Sequence, residues 1–378
     1  MTKRYKIAIN ATILDEKPSG LGVVTLNIIN NLQQYLPNVD IDVYSSTKAG
    51  LNSNINVKEM SKLLQPSRFK KVAGFYRFYW NQVSLYFISK KYDLVYSTTP
   101  HGSVFIKNQI ITVHDLISII PNKTYKSYSL QGYYYKLFLK KLVDKSLTTI
   151  SVSNKTKDDV VQYLNVSPDK IQVVHNGYNK ESFNPENEFE DNEYTNSRFI
   201  LTIGATLPHK NIDRLLNAFK QVKDNAEFSD LKLYILGGKE AYMQALTDRA
   251  KELNLESDII IKRYVPMREI TCAYKYAQCF VYPSLYEGFG LPVIEAMACG
   301  CPVICAGSSS LPEVAGDAAL FFDPLNEAEL YERIMQLITN KALATELVAK
   351  GYNNIKRFDW NESAKLVATI FMNNLKKN

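Results

Sequence analysis

The chain has 378 residues, 46% hydrophobic and 22% charged, with five cysteines and a formal net charge of +7. That length exceeds one ordinary core, so about two domains are expected, and the composition excludes a disordered or collagen-like chain. Met1 to Asn10 holds no signal-peptide pattern and no apolar run approaches the ~20 residues that cross a bilayer, so a cytoplasmic or cytoplasm-facing protein is expected.

Along the first half, short β-branched apolar runs alternate with amphipathic stretches, as in βαβ units whose parallel sheet is covered on both faces. Strands are predicted over 5–9, 41–44, 94–97, 110–114, 148–152 and 171–174, and helices over 23–35, 76–90, 133–145 and 154–163. Between Asn184 and Asn196, five acids (Glu186, Glu188, Glu190, Asp191, Glu193) accompany Pro185 and several asparagines, which reads as an interdomain linker over 184–197. Alternation then resumes, with strands predicted over 199–203, 232–236, 259–261, 280–282, 303–305 and 319–322. Helices are predicted over 212–222, 241–253, 267–276, 293–299, 327–338, 343–358 and 362–375. The expected fold is α/β: two doubly wound Rossmann-like domains, 1–183 and 198–358, facing a central cleft. A terminal helix within 359–378 is placed to pack back on the first domain. Ligands of such sheets bind beyond the carboxyl ends of the strands.

Charge is unevenly divided. Residues 1–180 carry 24 Lys+Arg against 11 Asp+Glu, whereas residues 181–378 carry 21 against 27. Only the basic half is suited to an anionic partner, and nucleic acid, anionic lipid headgroups and a diphosphate-bearing acceptor all fit. The cysteines all fall between Cys272 and Cys305, on a helix end and apolar strand positions without a neighbouring histidine. They read as packed thiols rather than zinc ligands or disulfides.

The most informative run is Tyr286-Glu-Gly-Phe-Gly-Leu-Pro-Val-Ile-Glu-Ala-Met-Ala-Cys-Gly300. It has the form of a strand end, a glycine loop and a helix. Gly288 and Gly290 allow a sharp turn and close approach to a ligand, Pro292 suits the helix start, and Gly300 suits its end. Amides at that helix start are ready for a phosphate. Glu287 and Glu295 flank the same anion pocket, where a carboxylate is unfavourable by charge alone. Carboxylates accept hydrogen bonds from vicinal hydroxyls, so the pair points to a sugar.

On these residues the chain resembles the retaining glycosyltransferases of the GT-B fold, in the family-4 group that includes bacterial polysaccharide mannosyltransferases. Glu287 and Glu295 match the Glu-x7-Glu motif of that group. The likeness extends through Pro18-Ser-Gly-Leu-Gly22, Val113-His-Asp-Leu116, Ser151-Val-Ser-Asn154, Val174-His-Asn-Gly177, Gly204 to Lys210-Asn211, and Leu311-Pro-Glu-Val-Ala-Gly-Asp-Ala-Ala319. The resemblance implies that Glu295 holds the nucleotide ribose. It also implies that Glu287, with the backbone of Tyr286, Gly288, Phe289, Gly290 and Leu291, holds donor sugar and diphosphate. Lys210, just after Gly204, would neutralise the leaving diphosphate. Gly20 and Gly22 would approach donor phosphate or acceptor, His114 would contact the transferred sugar, and Tyr264 and Val265 would contact the base. One departure stands out: many members carry an arginine just before the lysine or a few residues before it, and Gly204-Ala-Thr-Leu-Pro-His-Lys210 has none. His209 or Arg214 is then the candidate replacement.

The implied reaction is transfer of a hexose, mannose favoured, from a nucleotide sugar such as GDP-mannose or a UDP- or dTDP-hexose. The acceptor would be a glycan or a polyprenyl-diphosphate-linked saccharide in surface polysaccharide synthesis. No cofactor and no metal are expected, since a lysine and a helix N-terminus serve the leaving group and no Asp-x-Asp triplet is present. His114, ending an apolar strand, sits where ligands bind, whereas Asp115 reads as a turn cap, and His101 and His175 as loop or packing residues. Cations and aromatics mix in Arg68-Phe-Lys-Lys-Val-Ala-Gly-Phe-Tyr-Arg-Phe-Tyr-Trp80, and again around Tyr133-Tyr-Tyr135 with Lys136, Lys140 and Lys141. Each stretch has two readings: a core helix with a solvated basic face, or docking on the anionic inner face of a membrane. The rival functions are an epimerase or hydrolase of the same fold and an NAD-dependent oxidoreductase, the latter opposed by the lack of a complete Gly-x-Gly-x-x-Gly after the first strand. A nucleic-acid-binding module is a third, but no such motif is present and no nucleic acid is expected.

Overall fold

The computed structural model describes residues 4–16, 18, 20–65, 70–120 and 130–376, with the side chains of 70–73 and 130–134 outside that description. The chain divides into two compact units. One comprises the described residues up to Gly177 together with those from Phe358 onward, and the other comprises Tyr178–Arg357.

In the first unit the elements run β1 (Tyr5–Asn10), α1 (Leu21–Leu32), β2 (Val39–Ser45), β3 (Asn56–Glu59) and α2 (Lys70–Tyr79). A π-helical turn (Trp80–Ser84) and α3 (Leu85–Ser89) follow, then β4 (Leu94–Ser97), β5 (Gln109–Val113), α4 (Leu130–Lys145), β6 (Thr148–Ser151), α5 (Asn154–Leu164) and β7 (Ile171–Val173). The strands form one parallel sheet in the order β3-β2-β1-β4-β5-β6-β7. The order reverses between β1 and β4, which makes their carboxyl ends the switch point of this sheet. Strands β4, β5 and β6 are buried at every position, the reason their sequences are mostly apolar or β-branched.

The second unit contains β8 (Phe199–Ala205), α6 (Ile212–Lys223), β9 (Lys232–Gly238), α7 (Glu240–Glu252), β10 (Ile259–Lys262), α8 (Met267–Tyr276) and β11 (Cys279–Tyr282). It continues with α9 (Leu291–Ala298), β12 (Val303–Ala306), α10 (Leu311–Ala315), β13 (Ala319–Phe322), α11 (Glu327–Thr339) and α12 (Lys341–Asn354). Its parallel sheet is ordered β10-β9-β8-β11-β12-β13, so the reversal falls between β8 and β11. The last helix, α13 (Trp360–Leu375), belongs to the first unit, where Phe371 meets the ring of Tyr96 edge-on at 5.0 Å. The five cysteines are buried free thiols. Among the described residues no helix is long and apolar enough to cross a membrane.

Several elements differ from the sequence expectation. The acidic stretch 184–197 is not a linker but part of the second unit. Tyr194 is 2% exposed and packs on Phe199 and Tyr234, Glu193 pairs with Lys262, and Phe189 lies edge-on to Tyr276. Strand β3 went unpredicted because it is a polar edge, Asn-Val-Lys-Glu, with little to bury. The helix expected over 76–90 begins earlier, and the π-helical turn divides it. That turn buries Trp80, Asn81 and Gln82. Asn81 accepts from Asn10 at 2.8 Å and Gln82 donates to the carbonyl of Gly102 at 2.9 Å, tying the helix to the carboxyl side of the sheet.

The chain leaves the first unit at Gly177, where a Cβ would stand 2.4 Å from the backbone nitrogen of Trp360. Only glycine lets this segment pass the start of α13. Gly177→Ala is therefore expected to destabilise the protein by about 1–3 kcal/mol in urea unfolding, through overpacking; an unchanged midpoint would contradict this close approach.

Candidate active site

The glycine loop of the second unit grows out of a fully buried strand. β11 delivers Tyr282, and the chain passes through Pro283 to Gly290 before α9 begins with Pro292 in its first turn. Gly290 has φ 111°, a left-handed conformation that side chains disfavour, and a Cβ there would approach Leu311 to 2.8 Å. Two hydroxyls clamp the loop from the β12–α10 connection. Ser309 Oγ donates to the carbonyl of Glu287 at 2.6 Å and accepts from its amide at 3.2 Å. Ser310 Oγ lies 2.9 and 2.8 Å from the carbonyls of Glu287 and Phe289. Tyr286 and Phe289 are buried beside it.

From β8, the strand adjacent to β11, a tight turn over Pro208–Lys210 brings Lys210 to the same place. Its Nζ is 2.6 Å from Glu287 Oε1 and donates to the Tyr282 hydroxyl at 2.9 Å. Both members of the ion pair have side chains only 14% exposed. Asn211, at φ 60°, locks the turn by donating to the carbonyls of Pro283 and Pro324. Burial alone would raise the Glu287 carboxyl, but the Lys210 ammonium outweighs it and holds the group below its ordinary value. For Lys210, burial acts to lower the pKa, and Glu287 and Tyr282 together reverse the direction.

Burial pushes His209 down to about 4, so it is neutral at pH 7. Arg214 donates at 2.7 Å to Oδ1 of Asn211, the residue after Lys210, and lies 3.9 Å from Glu327. Gly204 closes β8 at φ 87° with open space where a side chain would be. Tyr264 and Val265 follow the edge strand β10 on the same carboxyl side, Tyr264 being exposed and Val265 buried.

In the first unit, His114 follows β5 and is 7% exposed. Its Nε2 is 2.8 Å from the carbonyl of Thr98, which can only accept, so this nitrogen carries the proton and Nδ1 is left as an acceptor. Burial lowers its pKa to about 4, keeping the ring neutral. Thr98 also accepts from Thr25 of α1 at 3.0 Å, linking His114 to the helix that Gly20 and Gly22 begin. His101 is likewise held near 4 by burial, with Nδ1 2.8 Å from Thr99 Oγ1. Asp115 accepts from the amide of Ile117 at 3.0 Å, a turn cap. His175 packs edge-on to Phe358 at 5.9 Å.

Motif reading missed Tyr282, Ser309 and Ser310. The serines precede the Leu311-Pro-Glu-Val-Ala stretch without any spacing that links them to a loop more than 20 residues earlier (the sole sequence signal is the run Ser308-Ser-Ser310 itself).

Burial raises the half-buried Glu295 carboxyl to about 7, while the Tyr274 hydroxyl beside it, short of a full hydrogen bond, pulls the other way. The folded protein then keeps a proton that the unfolded chain releases, so stability falls as pH rises from about 4.3 towards 7. Glu295→Gln should flatten this decline, stabilising ligand-free protein by about 2 kcal/mol at pH 8 and scarcely at pH 4.5. Urea unfolding at the two pH values measures it, and parallel wild-type and variant profiles would contradict a raised pKa.

Two family models account for most of the chain: Glycosyltransferase Family 4 over residues 18–182 and Glycosyl transferases group 1 over residues 183–354. The chain is 27% identical over 367 residues to the O-antigen chain mannosyltransferase RfbU of Salmonella typhimurium, covering 95% of this chain and 97% of that protein. Among solved structures it is similar to sucrose-phosphate synthase from Thermosynechococcus elongatus, with a TM-score of 0.78, 16% identity, and coverage of 99% of this chain and 100% of that one. Anabaena HepE in complex with UDP and glucose gives a TM-score of 0.74 at 15% identity, covering 97% of this chain and 99% of that one. With both halves matched in order, the chain belongs to the family-4 type of GT-B glycosyltransferases.

Proposed function

We propose that this enzyme moves a hexose, mannose favoured, from a nucleotide sugar to a glycan or polyprenyl-diphosphate-linked saccharide during surface polysaccharide synthesis, with retention at the anomeric carbon. The observation that carries the reading is the pairing of Lys210 with Glu287 beside the N-terminus of α9, with Glu295 one helical face further on. Support for mannose comes from the name of the Salmonella relative, and for a nucleotide-sugar donor from the UDP and glucose bound by HepE. GDP-mannose is the first candidate donor, followed by UDP- and dTDP-hexoses.

In this reading the amides of Gly288 to Leu291 receive the diphosphate, and Lys210 balances the charge that develops as it leaves. Glu287 accepts from sugar hydroxyls and Glu295 from the ribose. Tyr264 and Val265 border the base, with Gly204 admitting the diphosphate to the end of β8. From the first unit, Gly20 and Gly22 approach phosphate or acceptor, and the His114 Nδ1 lone pair accepts from a hydroxyl of the transferred sugar. A leaving phosphate oxygen takes the acceptor proton, so no side chain is assigned as base. No metal is assigned either, because Lys210 and the helix start supply the positive potential.

The aromatic side of α2 fits an acceptor held at an anionic bilayer. Phe75, Tyr76, Phe78 and Tyr79 are all exposed, Phe75 to 70%, on a helix whose sequence opens with Lys70 and Lys71. Residues 68 and 69 of that basic stretch, the side chains of 70–73, and those of Tyr133 and Tyr134 lie outside the described residues. The proposed location is the cytoplasm, with peripheral attachment to the inner face of the membrane.

A thermal-shift panel of UDP, GDP, dTDP and CMP tests the donor site. One diphosphate should raise the melting point, and a flat response to all four would remove the reading. Lys210→Ala should then lower kcat by about 10²–10³, the usual effect of losing one oxyanion-stabilising donor. For the membrane, Phe75→Ser/Phe78→Ser should abolish co-sedimentation with vesicles containing phosphatidylglycerol. Equal recovery of wild type and variant would contradict docking through α2.

A further inference from the structure

Tyr282 ends β11 at 2% exposure, its ring stacked on Phe280 with centroids 5.6 Å apart and planes at 25°. Phe280 in turn takes the edge of Tyr274 at 5.3 Å. The Tyr282 hydroxyl therefore emerges from a packed aromatic column and cannot follow a moving partner. Lys210 Nζ donates to it at 2.9 Å and lies 5.1 Å from the ring centroid, and the same ammonium meets Glu287 at 2.6 Å, a carboxylate near enough to act on the Tyr282 hydroxyl as well. A lysine is a flexible four-carbon stem ending in a point charge, so its position depends on what holds it. Glu287 grips Lys210 through Oε1, and a donor sugar that claims that oxygen competes with the lysine for it.

Building on the proposed donor site, we infer that Tyr282 is a positioning residue that keeps the Lys210 ammonium at the diphosphate while Glu287 exchanges the lysine for sugar hydroxyls. The Lys210–Glu287 contact then acts as a latch that the donor opens, with Tyr282 as the fixed hinge. Burial raises the Tyr282 hydroxyl far above its ordinary value, so it stays neutral and its lone pair is always available to the ammonium. Because Tyr282 acts only through Lys210, its influence is confined to ligands whose charge reaches the lysine. A nucleoside diphosphate should report it, and a nucleoside monophosphate should not.

The test is calorimetric titration of UDP, GDP and dTDP, and of the matching monophosphates, into wild type, Tyr282→Phe, Lys210→Ala and the double variant. If wild type binds none of the diphosphates, the donor-site reading itself fails and this inference falls with it. Where wild type binds one, Tyr282→Phe should weaken it about tenfold, as loss of a hydrogen bond to a charged group does, and leave the monophosphate within about twofold. In the Lys210→Ala background Tyr282→Phe should add nothing, since the two residues act as one unit. Unchanged diphosphate affinity, a parallel loss of both ligands, or additive losses in the double variant would each overturn the role.

Discussion

A lysine and a glutamate held 2.6 Å apart, both largely out of water, form the contact around which the second unit is arranged. Burying such a pair is costly, because desolvation removes much of what Coulomb attraction returns, and a hydrophobic pair of similar size often serves stability as well. The surrounding structure keeps it nonetheless. Asn211 fixes the lysine turn to two carbonyls, Tyr282 adds a second hydrogen bond to the ammonium, and two serine hydroxyls immobilise the backbone of Glu287. That much support for a marginally favourable contact is what the proposed donor site would require.

The sheet explains why these residues meet. Lys210 follows β8 and Glu287 follows β11, and these are the neighbours between which the strand order reverses. Loops leaving the carboxyl ends at such a reversal diverge to opposite faces, opening a crevice that neither helix layer fills. Gly290 lets the second of these loops turn directly into α9, so the helix amides and the lysine share one region. The first unit repeats the logic at β1 and β4, where Asn10, Thr98 and His114 are joined by buried hydrogen bonds at the carboxyl side.

Much of this was legible in the amino-acid order, for a definite reason. Strands buried on both faces must be continuously apolar or β-branched, so β4, β6, β8, β11 and β12 announce themselves. Glu287 and Glu295 were legible because their spacing lies within one loop and helix. What depended on distant chain was not. Tyr282 meets Lys210 across 72 residues, and Ser309 meets Glu287 across 22, and no local pattern encodes either. The acidic segment 184–197 misled because its charges dominate its composition, while its one fully buried residue, Tyr194, is a single ring. Strand β3 failed for the opposite reason: an edge strand needs little apolar surface, so its sequence resembles a loop.

The arginine absent from the lysine turn sharpens the chemistry. With His209 neutral, the turn itself carries the positive charge of Lys210, and Arg214 touches it through Asn211. The central claim is that this lysine is released from Glu287 when a donor arrives. A crystal structure with bound nucleotide sugar tests it most directly, read as the Lys210 Nζ to Glu287 Oε1 separation. The account predicts that the glutamate turns to the sugar, the separation opens beyond hydrogen-bond range, and the lysine stays on Tyr282 facing phosphate. A donor seated elsewhere, with the 2.6 Å pair intact, would contradict it.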